Sequence, residues 1–123
     1  MTAVLRFVPA IAWAALIFAL SSRSSFGQIP GLVFPGFDKI AHAGAFGVLA
    51  LLLLYGARFP LGRRGWLCVI AASLYGLSDE LHQSFVPGRS VEVADGVADV
   101  AGAILAYLST WPAPVRRVLR LER

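Results

Sequence analysis

Four long apolar runs divide the chain and constrain its fold more than any other feature. They cover residues of about 4–21, 40–57, 66–81 and 93–111. The hydrocarbon core of a bilayer is about 30 Å thick, and a helix needs about 20 apolar residues to cross it. The composition agrees, because 58% of the residues are apolar and 15% are charged, against roughly 45–50% and 25% in soluble domains. The sequence therefore predicts an all-α, polytopic membrane bundle of four transmembrane helices.

Length, charge and cysteine content exclude several other classes of protein. The 123 residues allow one ordinary domain. The net charge of +4 could suggest nucleic-acid binding, but the basic residues lie between the apolar runs and form no single stripe. We therefore expect no nucleic-acid partner. Cys68 is the only cysteine, so neither an intrachain disulfide nor a cysteine-rich metal site can form.

The basic residues also predict which way the spans face. Eight of the eleven lie in the N-terminus, in the loop after the second run, or in the short basic tail of residues 114–123. Short loops rich in Arg and Lys remain on the cytoplasmic side of a membrane. Both termini are therefore expected in the cytoplasm, with formal charges of +7 on the inner side and −3 on the outer side.

An internal repeat appears when the sequence is shifted along itself by 57 positions. Ten identities occur in 46 aligned pairs, where the composition gives about four by chance. The matches include Pro30-Gly31 with Pro87-Gly88, and Asp38 with Asp95. The sequence thus predicts a single domain over 1–123, built from two parallel helical hairpins of about 6–56 and 63–113. Such folds place their site at the interface between the repeats.

The first apolar run has a second interpretation, as a signal peptide. Residues Ala19-Leu20-Ser21 loosely resemble a small-residue cleavage site that follows an apolar core. The repeat favours an intact first helix instead, because this run aligns with the third one.

Six of the seven acidic residues gather on the predicted outer side, at the ends of three helices. The candidate catalytic residues are His42, Asp79, Glu80, Gln83, Asp95 and Asp99, and the candidate substrate-binding residues are Asp38, Lys39 and Arg89. Residues four apart share one face of a helix, which pairs Asp38 with His42, Asp79 with Gln83, and Asp95 with Asp99. Ionisable groups within a membrane span are costly unless they face protein or water. These pairs therefore predict a small cleft that opens outward.

Some of these residues also have a purely structural interpretation. Asp38 and Asp95 lie at helix N-termini, where a carboxylate caps free N–H groups and meets a favourable dipole. Asp79 and Glu80 lie at a helix C-terminus, where the dipole disfavours acids, and Arg89 could clamp them from the adjoining turn. We expect the nearby His82 side chain to point away from Asp79.

Three polar motifs together resemble a known family. They are Asp38-Lys39-x-x-His42, the run Asp79-Glu80-Leu81-His82-Gln83-Ser84-Phe85-Val86-Pro87-Gly88-Arg89, and Asp95 with a polar residue four positions later, followed by Gly102. This pattern, from Ser21-Ser22 to about Gly102, resembles the VanZ-like family. The resemblance implies a multi-pass protein of the bacterial plasma membrane, linked to the cell envelope and to resistance to the glycopeptide teicoplanin. The family usually has Asn where this chain has Asp99, and an amide and a protonated acid can make similar hydrogen bonds.

Two classes of function are open for this site. In the first, an enzyme acts on a lipid-linked or cell-wall precursor headgroup: His42 and the carboxylates hold a divalent cation or serve as general acid and base, and Lys39 or Arg89 holds a phosphate. In the second, the cleft binds or transports a cationic headgroup, a lipid or a drug without changing a bond. The expected partners are membrane lipids and a lipid-linked cell-wall precursor. The metal, the substrate and pairing into a homo-oligomer are left open.

Overall fold

The computed structural model of the protein describes residues 2–22, 37–88 and 91–119. Within these ranges, a 3-10 turn at Val4–Phe7 leads into five α-helices: α1 (Val8–Ser21), α2 (Phe37–Gly56), α3 (Arg63–Gln83), α4 (Val93–Leu108) and α5 (Ala113–Val118). No strand occurs in the described part of the chain, so the predicted all-α class is confirmed. The 3-10 turn with α1, and then α2, α3 and α4, match the four predicted runs to within three residues at every end.

The centre of the molecule is the pairing of α2 with α4, which make the most extensive contact of any two helices. The two helices run in parallel, since Lys39 and His42 of α2 meet Asp95 and Asp99 of α4 in that order. Small residues allow the backbones to approach closely. A Cβ atom added at Gly102 would collide with the backbone carbonyl of Ala43. This close approach is typical of helices that associate through glycine and alanine.

Helix α1 is held against α2 and α3 by side chains that bond to backbone carbonyls. The indole Nε1 of Trp13 donates to the carbonyl oxygen of Ala45 in α2, at 2.8 Å. The hydroxyl of Tyr75 in α3 donates to the carbonyl oxygen of Ala14, at 2.6 Å. These bonds connect α1 to both of its neighbours, so the helix is part of the folded domain. The choice of an intact first helix over a signal peptide stays a prediction.

The turn between α2 and α3 is short and tightly wound. Arg58 and Phe59 both have positive φ angles, of 68° and 48°, a conformation that non-glycine residues seldom adopt. The N–H of Phe59 reaches back to the carbonyl oxygen of Leu54 at 2.6 Å and so closes the end of α2. Because the turn is short, α3 returns antiparallel to α2. Its C-terminal end therefore lies beside the N-terminal ends of α2 and α4.

The outer surface of the helices is apolar along much of its length. Helix α3 exposes one stripe of large apolar side chains at helical spacing: Leu67, Ile70, Leu74, Leu77 and Leu81. The buried residues, in contrast, include five charged or amide side chains: Asp79, Glu80, Gln83, Asp95 and Asp99. Apolar groups outside and acids inside reverse the usual arrangement of a soluble domain.

Two of the described stretches are long and apolar enough to cross a membrane, namely Val4–Ser21 and Asp38–Gly56. Helix α3 begins with two arginines and ends with two acids, and α4 has only 16 residues. Crossing by α3 and α4 therefore stays a prediction. The same holds for the sidedness of the termini and for the two-hairpin repeat within one domain.

Candidate functional site

The candidate site lies where α2 and α4 begin and α3 ends. Two helix N-termini, which carry partial positive charge, and one C-terminus, which carries partial negative charge, meet there. Most of the charged described residues at this end fall into two groups, which Asp95 connects. We name them the histidine cluster (His42, Glu80 and Asp99) and the lysine cluster (Lys39, Asp38, Glu92 and Asp95).

His42 is the centre of the histidine cluster, and carboxylates from two other helices surround it. Its Nδ1 lies 2.9 Å from Oδ1 of Asp99 and 3.8 Å from Oε1 of Glu80. Its Nε2 lies 3.8 Å from Oδ2 of Asp95. The side chain of His42 is 20% exposed, whereas that of Asp99 is 1% exposed. The imidazole thus has an acid next to each ring nitrogen and one edge towards the surface.

The carboxylates below His42 are poorly satisfied. Among the described residues, neither oxygen of Glu80 has a hydrogen-bond partner, and neither does Oδ2 of Asp99. Buried polar atoms nearly always have partners. Gly76 makes the space for the carboxylate of Asp99, since a Cβ atom added at Gly76 would lie 3.0 Å from the Cβ and Oδ2 atoms of Asp99.

The lysine cluster lies nearer the surface and is fully paired. The ammonium of Lys39 donates to Asp38 at 2.6 Å, to Glu92 at 2.5 Å and to Asp95 at 2.6 Å. Asp38 and Glu92 are largely exposed, and Asp95 is buried beneath them. Asp95 joins the two clusters, because one of its oxygens contacts Lys39 and the other faces His42.

Asp79 faces α1 instead of His42. The hydroxyl of Ser21 donates to Oδ1 of Asp79, and the amide of Gln83 lies 3.4 Å from Oδ2. Asp79 and Gln83 are therefore in contact, as their four-residue spacing on one helix predicts. Ser21 did not emerge as a site residue from the sequence, although it opens the stretch that resembles the VanZ-like family.

The other expected pairs are divided differently in the structure. Asp38 and His42, which their spacing pairs, each contact another residue instead. Asp38 contacts Lys39, and His42 contacts Asp99. The His82 ring stacks on Phe18 and its Nε2 lies 2.9 Å from the hydroxyl of Ser22, outside both clusters. Arg89 lies outside the described residues, and so does the clamp that it was expected to form.

A cavity of about 290 Å³ lies away from both clusters, between the first three helices. The cavity has an apolar lining, which consists of Phe7, Ala10, Ile11, Ala14, Leu49, Leu53, Ala71 and Tyr75. None of these residues belongs to the histidine or lysine cluster. The outward-opening polar cleft expected from the sequence is thus not this cavity.

The chemistry available at the site follows from its charge. Its described residues include six carboxylates, one lysine and His42, so that the carboxylates far outnumber the cations. Asp79 and Glu80 also lie at the unfavourable end of the α3 dipole. Such a site can bind a cation, and the pairing of His42 with Asp99 can carry a proton.

Comparison with known proteins identifies the family. The family model described as VanZ/LLP1 matches residues 3–114. An uncharacterized protein of Schizosaccharomyces pombe is 30% identical over an alignment of 113 positions, which covers 89% of this chain and 70% of that protein. No solved structure matches. The family match covers every residue of both clusters, and the chain belongs to the VanZ/LLP1 family.

Proposed function

We propose that this chain is an integral membrane protein of four spans, whose polar site lies just beneath the extracytoplasmic surface and acts on the headgroup of a lipid-linked substrate. The termini lie in the cytoplasm, and the hairpins of about 6–56 and 63–113 are related by an axis along the membrane normal. The observation that carries the proposal is the burial of ionisable groups from three helices at one end of an otherwise apolar bundle.

The surface of α3 supports the crossing of a membrane by that helix. Its exposed stripe from Leu67 to Leu81 runs along 15 of its 21 residues. A long contiguous apolar surface marks an interaction with a membrane or a partner. The whole helix is about 31 Å long at 1.5 Å per residue, which agrees with a bilayer core of about 30 Å.

The contact between α2 and α4 supports the repeat. His42 and Asp99 are 57 positions apart and lie 2.9 Å from each other. When a rotation axis relates two repeats, equivalent residues can touch only close to that axis. The contact of His42 with Asp99 is therefore what an axis between α2 and α4 would produce. The close backbone approach of Gly102 to Ala43 lies one turn further along the same two helices.

The arrangement of the two clusters suggests how a headgroup would meet the site. The more exposed lysine cluster forms the entrance, and the more buried histidine cluster lies below it. A headgroup at the membrane surface would first meet Lys39 and then His42. His42, oriented by Asp99, is the candidate general base, and Glu80 is the candidate acid.

The family relationship favours a lipid headgroup that is not confined to bacterial cell walls. A relative in a yeast is more readily explained by a substrate that bacterial and eukaryotic membranes share, such as a lipid-linked phosphate. The association with teicoplanin resistance and the cell envelope, which rests on resemblance, would then follow from a change in a lipid-linked precursor.

A turnover assay tests the proposal. The purified protein in lipid nanodiscs is given a radiolabelled lipid-linked diphosphate, and the release of a water-soluble product is measured. We expect a product with the natural protein and a rate about 10²–10⁴-fold lower for His42→Asn, which is the usual contribution of a general base. His82→Asn is the matched control and should retain the rate, because His82 lies outside both clusters.

The excess of acids favours a second candidate, a protein that binds a cationic headgroup without catalysis. Phosphate is repelled by carboxylates, whereas an amine headgroup is attracted by them. This candidate predicts saturable binding of an amine-bearing lipid that weakens with salt and with Asp95→Asn, and no product under any condition. Product formation that depends on His42 would contradict it.

A further inference from the structure

Glu80 is the residue that the contacts described so far explain least. Its side chain is 9% exposed, and neither of its oxygens has a hydrogen-bond partner among the described residues. The oxygen Oε1 nevertheless lies 3.8 Å from Nδ1 of His42. A buried carboxylate without partners is costly, unless a proton or a cation neutralises it.

We infer that His42, Glu80 and Asp99 together bind a divalent transition-metal ion. One donor atom from each of the three lies within 4.8 Å of the other two. The second oxygen of Asp99 also has no hydrogen-bond partner among the described residues. The inference rests on these donors alone and not on the substrate. With the ion bound, His42 and Glu80 would be metal ligands in place of the base and acid proposed above.

The types of ligand indicate the class of metal. One imidazole nitrogen with two carboxylates suits Zn²⁺, Mn²⁺ or Fe²⁺, whereas Mg²⁺ and Ca²⁺ prefer oxygen ligands throughout. Three protein ligands also leave positions for water or substrate, as at catalytic zinc sites.

The surroundings of His42 match those of a metal-bound histidine. Such a histidine usually donates its second ring N–H to a carboxylate, which fixes the orientation of the ring. Here Nδ1 faces Glu80 and Asp99, and Nε2 lies 3.8 Å from Asp95. Asp95 is itself held by Lys39 at 2.6 Å. Asp95, held by Lys39, would thus orient the ligand without touching the metal.

The lysine cluster provides a comparison within the same molecule. Asp38, Glu92 and Asp95 also bring three carboxylates together. The ammonium of Lys39 contacts all three of them, so a cation already neutralises this group. Divalent ions should therefore bind at the histidine cluster and not here.

Metal binding by the full chain tests the inference. The protein is stripped with EDTA, placed in nanodiscs of phosphatidylcholine without any substrate lipid, and titrated with Mn²⁺ alone or Zn²⁺ alone. Free Mn²⁺ is followed by electron paramagnetic resonance, and Zn²⁺ by calorimetry. We expect saturable binding of one ion per chain, and a higher midpoint of thermal unfolding when the ion is present.

Variants locate the ion. Glu80→Gln should weaken binding at least about 100-fold, because it replaces a charged ligand and keeps its shape. Asp95→Asn should weaken it about 10–100-fold, the usual effect of a residue that orients a ligand. Glu92→Gln is the matched control and should leave the affinity unchanged. Asp99→Asn likewise replaces a charged ligand and keeps its shape, and it is the second variant, with the same expected loss, should Glu80→Gln fail to fold.

Two results would overturn the inference. One is the lack of saturable binding by a folded natural protein. The other is equal affinity in the natural protein and in Glu80→Gln, or an equal loss in Glu92→Gln, which would place the ion elsewhere. Because no substrate lipid is present, failure of metal binding leaves the headgroup assay valid, and failure of the headgroup assay leaves the metal site intact.

Discussion

At the scale of single residues, glycines decide whether the site can form. Gly76 and Gly44 lie inside helices, but their surroundings differ. An added Cβ at Gly76 would lie 3.0 Å from Asp99, whereas at Gly44 it would meet nothing within 4 Å. Space at Gly76 is therefore part of what allows a fully buried carboxylate between α3 and α4.

Substitution of Gly76 by Ala should destabilise the protein and displace Asp99. We expect a loss of about 1–3 kcal/mol from overpacking, partly offset by the better helix propensity of Ala. Gly44→Ala is the matched control and should be neutral or stabilising by about 0.5–1 kcal/mol. Thermal unfolding in detergent, followed by circular dichroism, compares the two. Equal stability of both variants would show that Asp99 is not confined by α3.

A second prediction at this scale concerns Ser21 and Asp79. Both side chains are buried, and the Ser21 hydroxyl donates to the carboxylate. Ser21→Ala removes a hydrogen bond to a charged group, which contributes about 1.5–3 kcal/mol. We expect a loss of that size in the free energy of unfolding.

Ser78→Ala is the control for Ser21. Its hydroxyl is exposed and bonds to a backbone oxygen of its own helix. Most exposed substitutions change stability by less than about 0.5 kcal/mol. If Ser21→Ala were as mild as this control, α1 would not be tied to α3 through Asp79.

At the scale of helices, the contact between α2 and α4 brings His42 to Asp99. The contact depends on Gly102, because a side chain at this position would collide with the backbone of Ala43, which cannot move aside as a flexible side chain can. A backbone carbonyl can move only with its whole helix. The separation of α2 and α4 thus sets the distance between the imidazole of His42 and the acid of Asp99.

Gly102→Ala should therefore push the two helices apart. We expect a loss of about 3 kcal/mol or more, at the upper end of overpacking effects, together with loss of whatever binding the histidine cluster supports. Gly96→Ala, in the same helix, is the control, because its nearest contact is an ordinary one of 3.8 Å to Leu77. Retained folding and binding in Gly102→Ala would contradict the close packing of α2 on α4.

At the scale of the whole molecule, the sequence predicted the helices better than the site. The apolar runs are bounded by prolines, glycines and arginines, so the helix ends could be placed within three residues. The spacing of Asp79 and Gln83 is local to one helix and could be predicted as well. Contacts between helices depend on crossing geometry, which local spacing does not contain. For this reason the Ser21 hydroxyl and the three partners of Lys39 were not foreseen.

The shift of 57 is the exception, since it relates residues of different helices. It aligns His42 with Asp99, and these two residues are in contact. Identity alone gives no signal for this pair, because a histidine and an aspartate do not count as a match. The contact agrees with the predicted repeat, in which the two residues hold equivalent positions.

The sidedness of the molecule can be tested with single cysteines. Cys68 is the only natural one, so Cys68→Ser gives a background without cysteine. We would introduce Ser24→Cys and Ser84→Cys on the predicted outer side, and Leu61→Cys and Val118→Cys on the predicted inner side. Leu61, Ser84 and Val118 are exposed, so a reagent can reach them.

A maleimide that does not cross membranes should label the first two variants in intact cells, and the last two only after the cells are opened. The physical reason is the excess of arginine in the inner loop and tail, which opposes translocation. Labelling of Ser24→Cys without Ser84→Cys would place the ends of α1 and α3 on opposite faces. The side chains of Ser21 and Asp79 could then not meet, and both the four-span arrangement and the shared outer site would be wrong.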